Sequence, residues 1–490
     1  MTFVFKPEVA DEKALKKVAE SFRRYDIRLP LFAELIDPVT HLADMAADLA
    51  TVDPDAADSR NLFRVHWHND AERKGLVEVP EHIVLPKELT GVDAKIVIAL
   101  GNRFPMIKAH KVLPAYACLV QRLVSGNFDP YSQRAVWPST GNYCRGGVAI
   151  SRILECHGVA VLPEGMSQER FNWLESWTLS NDDIIRTPGC ESNVKEIYDA
   201  CNKLSQDPDN VILNQFAEFG NYAVHRAVTG AALGRIFDAL NGEGNLNMAG
   251  FVSASGSSGT LAAGDHLKQH YGADIAVVEA LECPTLLYNG YGDHNIQGIG
   301  DKHVPLIHNV MNSDYVIGLS EAGSDMLNLV FNRPDGQDYL KDYRGVEPEL
   351  IERLSALGLS SIANILGAIK LAKYQKLGAN DVVMTVATDG AEMYSTEQPK
   401  ALQKYFGNRF DKTLAAQAFG AQVVGASVDH VLELTRIDRE RIFNLGYYTW
   451  VEQQGVELKD FDSRRDQAFW DQLVEDLPAW DGLITSFMAG

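Results

Sequence analysis

The side chain best able to form a covalent bond here is a lysine at the entrance to a helix, and GNRFPMIKAHKVLPAYACLV offers two, Lys108 and Lys111. Proline is tolerated only in a helix's first turn, so Pro114 sets the helix start near Val112. Lys111 then stands at the helix mouth and Lys108 in the loop before it. An amine at such a mouth is a Schiff-base nucleophile where its surroundings lower its pKa, and a solvated loop lysine where they do not. The second candidate is Gly256-Ser257-Ser258-Gly259-Thr260, between an apolar strand and a helix. Its backbone N–H groups and hydroxyls form a phosphate cradle, or else a plain tight turn with a Thr cap. It lacks the Lys-Ser/Thr ending of a nucleoside-triphosphate loop and the dinucleotide glycine spacing, so a small phosphate monoester fits it better. Ser139-Thr140-Gly141-Asn142 and Gly358-Leu359-Ser360-Ser361 also open helices. The first of these suits a carboxylate or a phenolic oxygen, with N-capping the alternative; for the second, capping is the plain reading. His66-Trp67-His68 alternates like a strand, with both imidazoles on one face. Without a cysteine or carboxylate at ligand spacing it reads as a polar strand face, and no metal is expected. Cys144, beside Asn142, reads as packing or pocket lining.

Every one of these turns joins a strand to a helix, where ligand sites of α/β folds gather. KIVIAL (95–100), RAVWPS (134–139), VAVLPE (159–164), MAGFVSA (248–254), DIAVVEA (274–280), DYVIGLS (314–320) and DVVMTVAT (381–388) read as strands. Helical stretches such as 112–124 and 146–158 alternate with them, which predicts βαβ units and a mostly parallel sheet. Residues 1–75 begin with an amphipathic helix, ADEKALKKVAESFRRY, and read as a helical extension; after about 400 the strand signal thins into an acidic, Trp-rich, mainly helical tail. The whole chain has 490 residues, with 45 basic against 66 acidic side chains for a net charge of −21, which disfavours nucleic-acid binding. No apolar run is long enough to cross a bilayer, and the N-terminus does not read as a secretory signal. Six scattered cysteines without a Cys-x-x-Cys pair suit reduced thiols. The expectation is a soluble cytoplasmic enzyme that engages no membrane.

In order, the motifs resemble the fold-type II pyridoxal-phosphate enzymes, especially the cysteine synthase and cystathionine β-synthase group. STGN resembles that family's T-S-G-N loop, and VAVLPEGMSQER (159–170) its MPETMSxER segment. NQFAEFGNYAVHRAVTG (214–230) and GSSGT are similar to its QQFSNPANPxxHxxTTG and GTGGT. GDHNIQGIGDKHVP (292–305) and GLSSIANILGAIKLA are close to GPHKIQGIGxGFIP and GISSGAAVAAALKLA. The resemblance spans roughly residues 76–395. It selects Lys111, because the family's Schiff-base lysine precedes the glycine closing its helix by 15 residues, the separation of Lys111 and Gly126. It implies pyridoxal 5'-phosphate as cofactor, with Gly256, Ser257, Ser258, Gly259 and Thr260 on its phosphate. Asn142 would meet its phenolic oxygen, Ser360 its pyridine nitrogen, and Gly298 would give it close backbone approach. Ser139, Thr140, Gly141 and Gln215 would bind the substrate carboxylate. Ala-His-Lys resembles the tryptophan synthase β-subunit, but STGN carries no catalytic Glu, which disfavours that reaction. Here Val112-Leu113 follows the lysine, Tyr143 stands where sulfhydrylases have a small Thr, and Asp293 replaces a proline.

The implied fold is α/β, tryptophan synthase β-like, with two parallel-sheet domains, the cofactor in their cleft, and helical extensions at both ends. The larger cofactor domain is expected over 76–126 and 236–400 and the smaller, mobile substrate domain over 127–235. The extensions are residues 1–75 and 401–490. The implied activity is β-elimination and β-replacement on a small amino-acid substrate, a thiol or sulfide adding to the aminoacrylate formed from a β-substituted alanine, in a homodimer. The rival within enzymes is an ammonia-lyase, dehydratase or carbon–sulfur lyase. Thr260 in the phosphate loop favours replacement over the all-glycine dehydratase loop. The rival from another class is a non-catalytic interaction protein on the same fold.

Overall fold

Continuous apolar runs such as KIVIAL leave no polar face for solvent, so these strands must be covered on both sides. The computed structural model, which describes residues 6–489, arranges the strands in two sheets. The larger contains β1 (His82–Leu85), β2 (Lys95–Leu100), β7 (Asn247–Ala254), β8 (Asp274–Ala280), β9 (Tyr315–Leu319), β10 (Asp381–Ala387) and β11 (Val431–Glu433), in the order β1-β2-β10-β7-β8-β9-β11. Its five central strands are parallel, and β1 and β11 close the two edges antiparallel. The smaller sheet is wholly parallel, with β3 (Arg134–Pro138), β4 (His157–Pro163), β5 (Ile184–Thr187) and β6 (Asn210–Ile212) in the order β5-β4-β3-β6. The architecture is the two-sheet α/β fold expected.

Helices cover the sheets. The helix Leu359–Gln375 packs on β7, β8, β9 and β10, and its first fourteen residues, Leu359 to Ala372, are buried. Asn364 within it accepts from the Ala254 amide at 2.8 Å and donates to the Val386 carbonyl at 2.9 Å, tying the ends of β7 and β10 together. The helix Val112–Val124 packs against the helices Asn142–Ile153 and Phe219–Val224 and against the last helix, and is buried except at Arg122.

Both extensions fold onto this body and onto each other. The amphipathic helix Glu12–Arg24 buries Val18, Ala19 and Phe22, and Phe22 meets Phe487 of the last helix edge-on at 5.4 Å. Asp481 of that last helix accepts from the backbone N–H groups of Phe32 and Ala33 at 2.6 and 3.0 Å, satisfying donors that the short helix Phe32–Ile36 cannot satisfy itself. The stripe Phe469, Trp470, Leu473 and Leu477 packs on the same chain: Trp470 is fully buried against Phe219 and Tyr222.

The tail is mainly helical, as expected, and also supplies the edge strand β11, whose run is too short to register as a pattern. One expectation needs correction. His66-Trp67-His68 is no strand. It follows the 3-10 turn Ser59–Arg64, and local bonds hold it: His66 N–H to Arg64 O at 2.8 Å, and His68 N–H to His66 Nδ1 at 3.1 Å. Trp67 points inward to Thr229, so the three alternating residues are all buried rather than two-faced.

Candidate active site

The helix Val112–Val124 begins where Pro114 places it, with Lys111 as the residue before its first turn. Lys108, in the preceding loop, is exposed. Lys111 can sit against the neighbouring helix Asn142–Ile153 because residue 146 is glycine: a Cβ there would stand 2.9 Å from the Lys111 carbonyl oxygen and 3.0 Å from the Val112 Cα. The Lys111 side chain turns to the Gly/Ser turn, donating to Ser257 Oγ at 3.1 Å and more weakly to Gln215 Oε1 at 3.4 Å. Burial lowers its pKa to about 8, against the opposing charges of Asp301 and Glu191. A neutral, nucleophilic amine is therefore accessible near physiological pH.

Lys111, Gly256, Ser257, Ser258, Thr260, Gly298 and Ser360 line one small cavity with His110, Asn364 and Thr388. Gly259 belongs to the same turn, packed on Asn221 so closely that a Cβ would fall 2.1 Å from the amide oxygen. The turn is stitched by Ser255 to Ser258 at 2.9 Å and Ser253 to Thr260 at 3.1 Å, and it runs into the helix Leu261–Tyr271. Among the described residues, the N–H groups of Gly256, Ser257, Ser258 and Thr260 have no acceptor. Four such donors at a helix start suit an anion. Gly298 has φ +103°, and a Cβ on it would enter open space with Ser360 Oγ, at 4.0 Å, as its nearest neighbour. The pocket thus offers an amine, an anion cradle, and a hydroxyl across a gap that a side chain at 298 would fill. These residues fit pyridoxal phosphate.

The substrate-side residues connect to Lys111 through Gln215, whose Nε2 donates to Ser139 Oγ at 3.2 Å; Ser139 in turn accepts from the Gly141 N–H at 3.0 Å. Thr140 is buried close to Glu191. Asn142 lies in a different set of contacts: its Nδ2 donates to Asp389 at 2.7 Å and its Oδ1 accepts from Arg145 at 2.9 Å. Asp389 also accepts from Tyr394 at 3.0 Å and from Arg170 at 3.4 Å, and Arg170 reaches Gln297 and Ser167. Cys144 is buried, with its thiol pushed up to about 12 by burial, which leaves it protonated and structural.

Sequence reasoning missed several participants. Asp389, Arg145, Arg170 and Tyr394 form a buried network that joins the STGN helix to the end of β10, and they come from three distant stretches of chain. His110 stacks on Trp67 at 5.6 Å and meets His225 edge-on at 5.2 Å, so the N-terminal extension touches the residue before Lys111. Glu191 and Asp301 are buried carboxylates close to Lys111. Asp301 was visible in the sequence, directly after IQGIG, as an acid in an apolar glycine turn.

No family model matches the chain. Cysteine synthase from Staphylococcus aureus is 26% identical over 264 residues, covering 53% of this chain and 74% of that protein. Cysteine synthase B from Campylobacter jejuni is 30% identical over 239 residues, 48% of this chain and 69% of that one. The crystal structure of cysteine synthase from Entamoeba histolytica superposes with a TM-score of 0.53 at 21% identity, over 70% of this chain and 94% of that chain, a likeness of fold.

Proposed function

The chain belongs to the cysteine synthase family of pyridoxal-phosphate enzymes, and from that premise we propose that it catalyses β-elimination and β-replacement on a β-substituted amino acid, with Lys111 as the covalent and proton-transferring residue. The observation that carries this reading is the Lys111 amine, its pKa lowered by burial to about 8, directed at a turn rich in free N–H donors.

Pyridoxal phosphate, when bound, supplies the electron sink that acidifies the substrate's Cα proton and lets the β-substituent leave with its bonding electrons. Gly256, Ser257, Ser258, Gly259 and Thr260 would hold its phosphate by backbone N–H groups and hydroxyls, aided by the positive end of the helix Leu261–Tyr271. Lys111 would hold the cofactor covalently and, when free, would accept the Cα proton at Nζ. Ser360, which lines the cavity, would place a neutral hydroxyl at the pyridine nitrogen and keep the sink weak, which would favour expelling a β-group over transamination. Ser139, Thr140, Gly141 and Gln215 orient the substrate carboxylate, and Asn142 positions the ring's phenolic oxygen. Closure of residues 127–235 over the larger unit shuts out water. The same reading has the enzyme acting as a cytoplasmic homodimer.

Borohydride reduction of the purified, cofactor-loaded protein followed by peptide mapping tests the assignment. The label is expected on Lys111, and Lys111→Ala should lose the cofactor absorbance. A label on Lys108 overturns the site. Turnover of a panel of β-substituted alanines, with and without sulfide, tests the reaction, and absence of turnover across the panel overturns it.

A further inference from the structure

Two carboxylates in the site have no part in the chemistry above. Glu191 lies in the loop after β5 and is fully buried; Asp301 closes the turn after Gly300 and is 6% exposed. Both oxygens of Asp301 lack a hydrogen-bond partner, and those of Glu191 have only the Thr140 side chain and the Gly298 N–H close by, neither in good hydrogen-bond geometry. Asp301 feels the charges of Glu191 and Lys111, and Glu191 those of Arg170 and Lys111. Yet the Lys111 amine donates to Ser257 and Gln215 instead. Arg170, the other cation felt by Glu191, is engaged by Ser167, Gln297, Tyr394 and Asp389. Two buried carboxyl groups near Lys111 are therefore under-supplied with donors, and buried polar groups in native proteins are paired. Burial keeps the proton on Glu191 up to about 8 and holds Asp301 well above the carboxylate range, so a proton stands where a cation could.

We infer that Glu191 and Asp301 form a subsite for an alkylammonium group of a substrate and discriminate against anionic groups at that place. The inference rests on the proposed β-replacement reading, which puts the substrate beside Lys111. An ammonium brings three N–H donors and the positive charge that lets both acids ionise, whereas a carboxylate or phosphate brings neither and would be repelled once either acid ionised. The donor's own α-amino group is committed to the cofactor and its carboxylate to Ser139, Thr140 and Gln215. The recognised ammonium is therefore a second one, carried by the donor's β-substituent or by the incoming thiol.

Two substrate series on the holoenzyme distinguish these sources. The thiol series is dimethylaminoethanethiol, methoxyethanethiol and mercaptoacetate with a fixed donor; its tertiary amine cannot condense with the cofactor. The donor series is diaminopropionate, serine and O-phosphoserine with a fixed thiol. In one series kcat/KM should favour the cation over the anion by about 10- to 150-fold, the range for hydrogen bonds to a charged group. Glu191→Gln and Asp301→Asn should each flatten that order through KM while the cofactor absorbance is kept. An active enzyme with no charge order in either series overturns the subsite and leaves the function standing. If no combination turns over, the functional reading fails, and calorimetry decides the subsite separately. Binding of dimethylaminoethanethiol but not mercaptoacetate, lost in Glu191→Gln, supports it; equal or absent binding overturns it.

Discussion

Lys111 owes its chemistry to being an amine in a place that disfavours ammonium. Burial lowers its pKa to about 8, while a solvated lysine titrates near about 10.4. If, as proposed, the neutral amine attacks the cofactor aldehyde, capture of pyridoxal phosphate by apoprotein should speed up with pH and level off near about 8. Stopped-flow absorbance from pH 6 to about 10.5 checks this, and a rate still climbing steeply at the top of that range would mean a solvated lysine. The place of Lys111 at the helix mouth was legible because Pro114 fixes the helix start. Gly146 was not legible: nothing near it in sequence says that its missing Cβ admits the backbone of Lys111. Asn142 was legible as a position, but its partners, Asp389 and Arg145, were not. Asp389 lies 247 residues away, and long-range polar pairing leaves no periodic trace.

At the scale of elements, the alternation of apolar runs with helical stretches exposed the central parallel strands, since strands buried on both faces write themselves as unbroken Val/Ile/Ala runs. The edge strands β1 and β11, four and three residues long, carry too few positions for a pattern. Why two extensions exist was also hidden, because each is meaningful only through the other. Asp481 of the last helix caps the amides of Phe32 and Ala33, and burial raises its pKa against those two bonds. Replacing a side chain that satisfies helix N-terminal donors costs about 0.5–2 kcal/mol. Asp481→Ala should lower the unfolding free energy by that amount, seen as a lower urea midpoint with the slope unchanged. No change would mean that the two termini are not coupled in solution. The C-terminal extension also grips the segment after Asp301: Trp450 Nε1 donates to Val304 O at 2.7 Å and Arg464 to Leu306 O at 2.7 Å. Through it, a region outside the family resemblance supports the turn that holds Asp301.

For the molecule as a whole, buried ionisable groups set opposite demands on pH. Burial holds His66, His303 and His308 at about 3 and His266 at about 4. In the unfolded chain they titrate near about 6.5, so below that pH the unfolded state binds more protons and stability falls as pH falls. Burial pushes Glu191 up to about 8 and Glu279 and Asp325 up to about 7. Their unfolded values lie near about 4, so here the folded state holds the extra protons, and stability falls as pH rises from there through about 7 to 8. Between about 4.5 and 6.5 the two sets oppose one another; outside that window one acts alone. A net charge of −21 adds self-repulsion on the alkaline side. The apoprotein's melting temperature should therefore peak within or at the upper edge of that window and decline on both sides. Lys111 pulls the other way only from about 8 upward, where the unfolded chain keeps a proton that the buried amine has lost. Glu191→Gln removes one ionisation that folding resists, and one pKa unit corresponds to about 1.4 kcal/mol. That variant should lose at least about 1 kcal/mol less than wild type between pH 6.5 and 8. Melting curves of both apoproteins in one mixed buffer decide it: parallel declines would show that Glu191 is already ionised in the folded chain, with a partner that satisfies its charge.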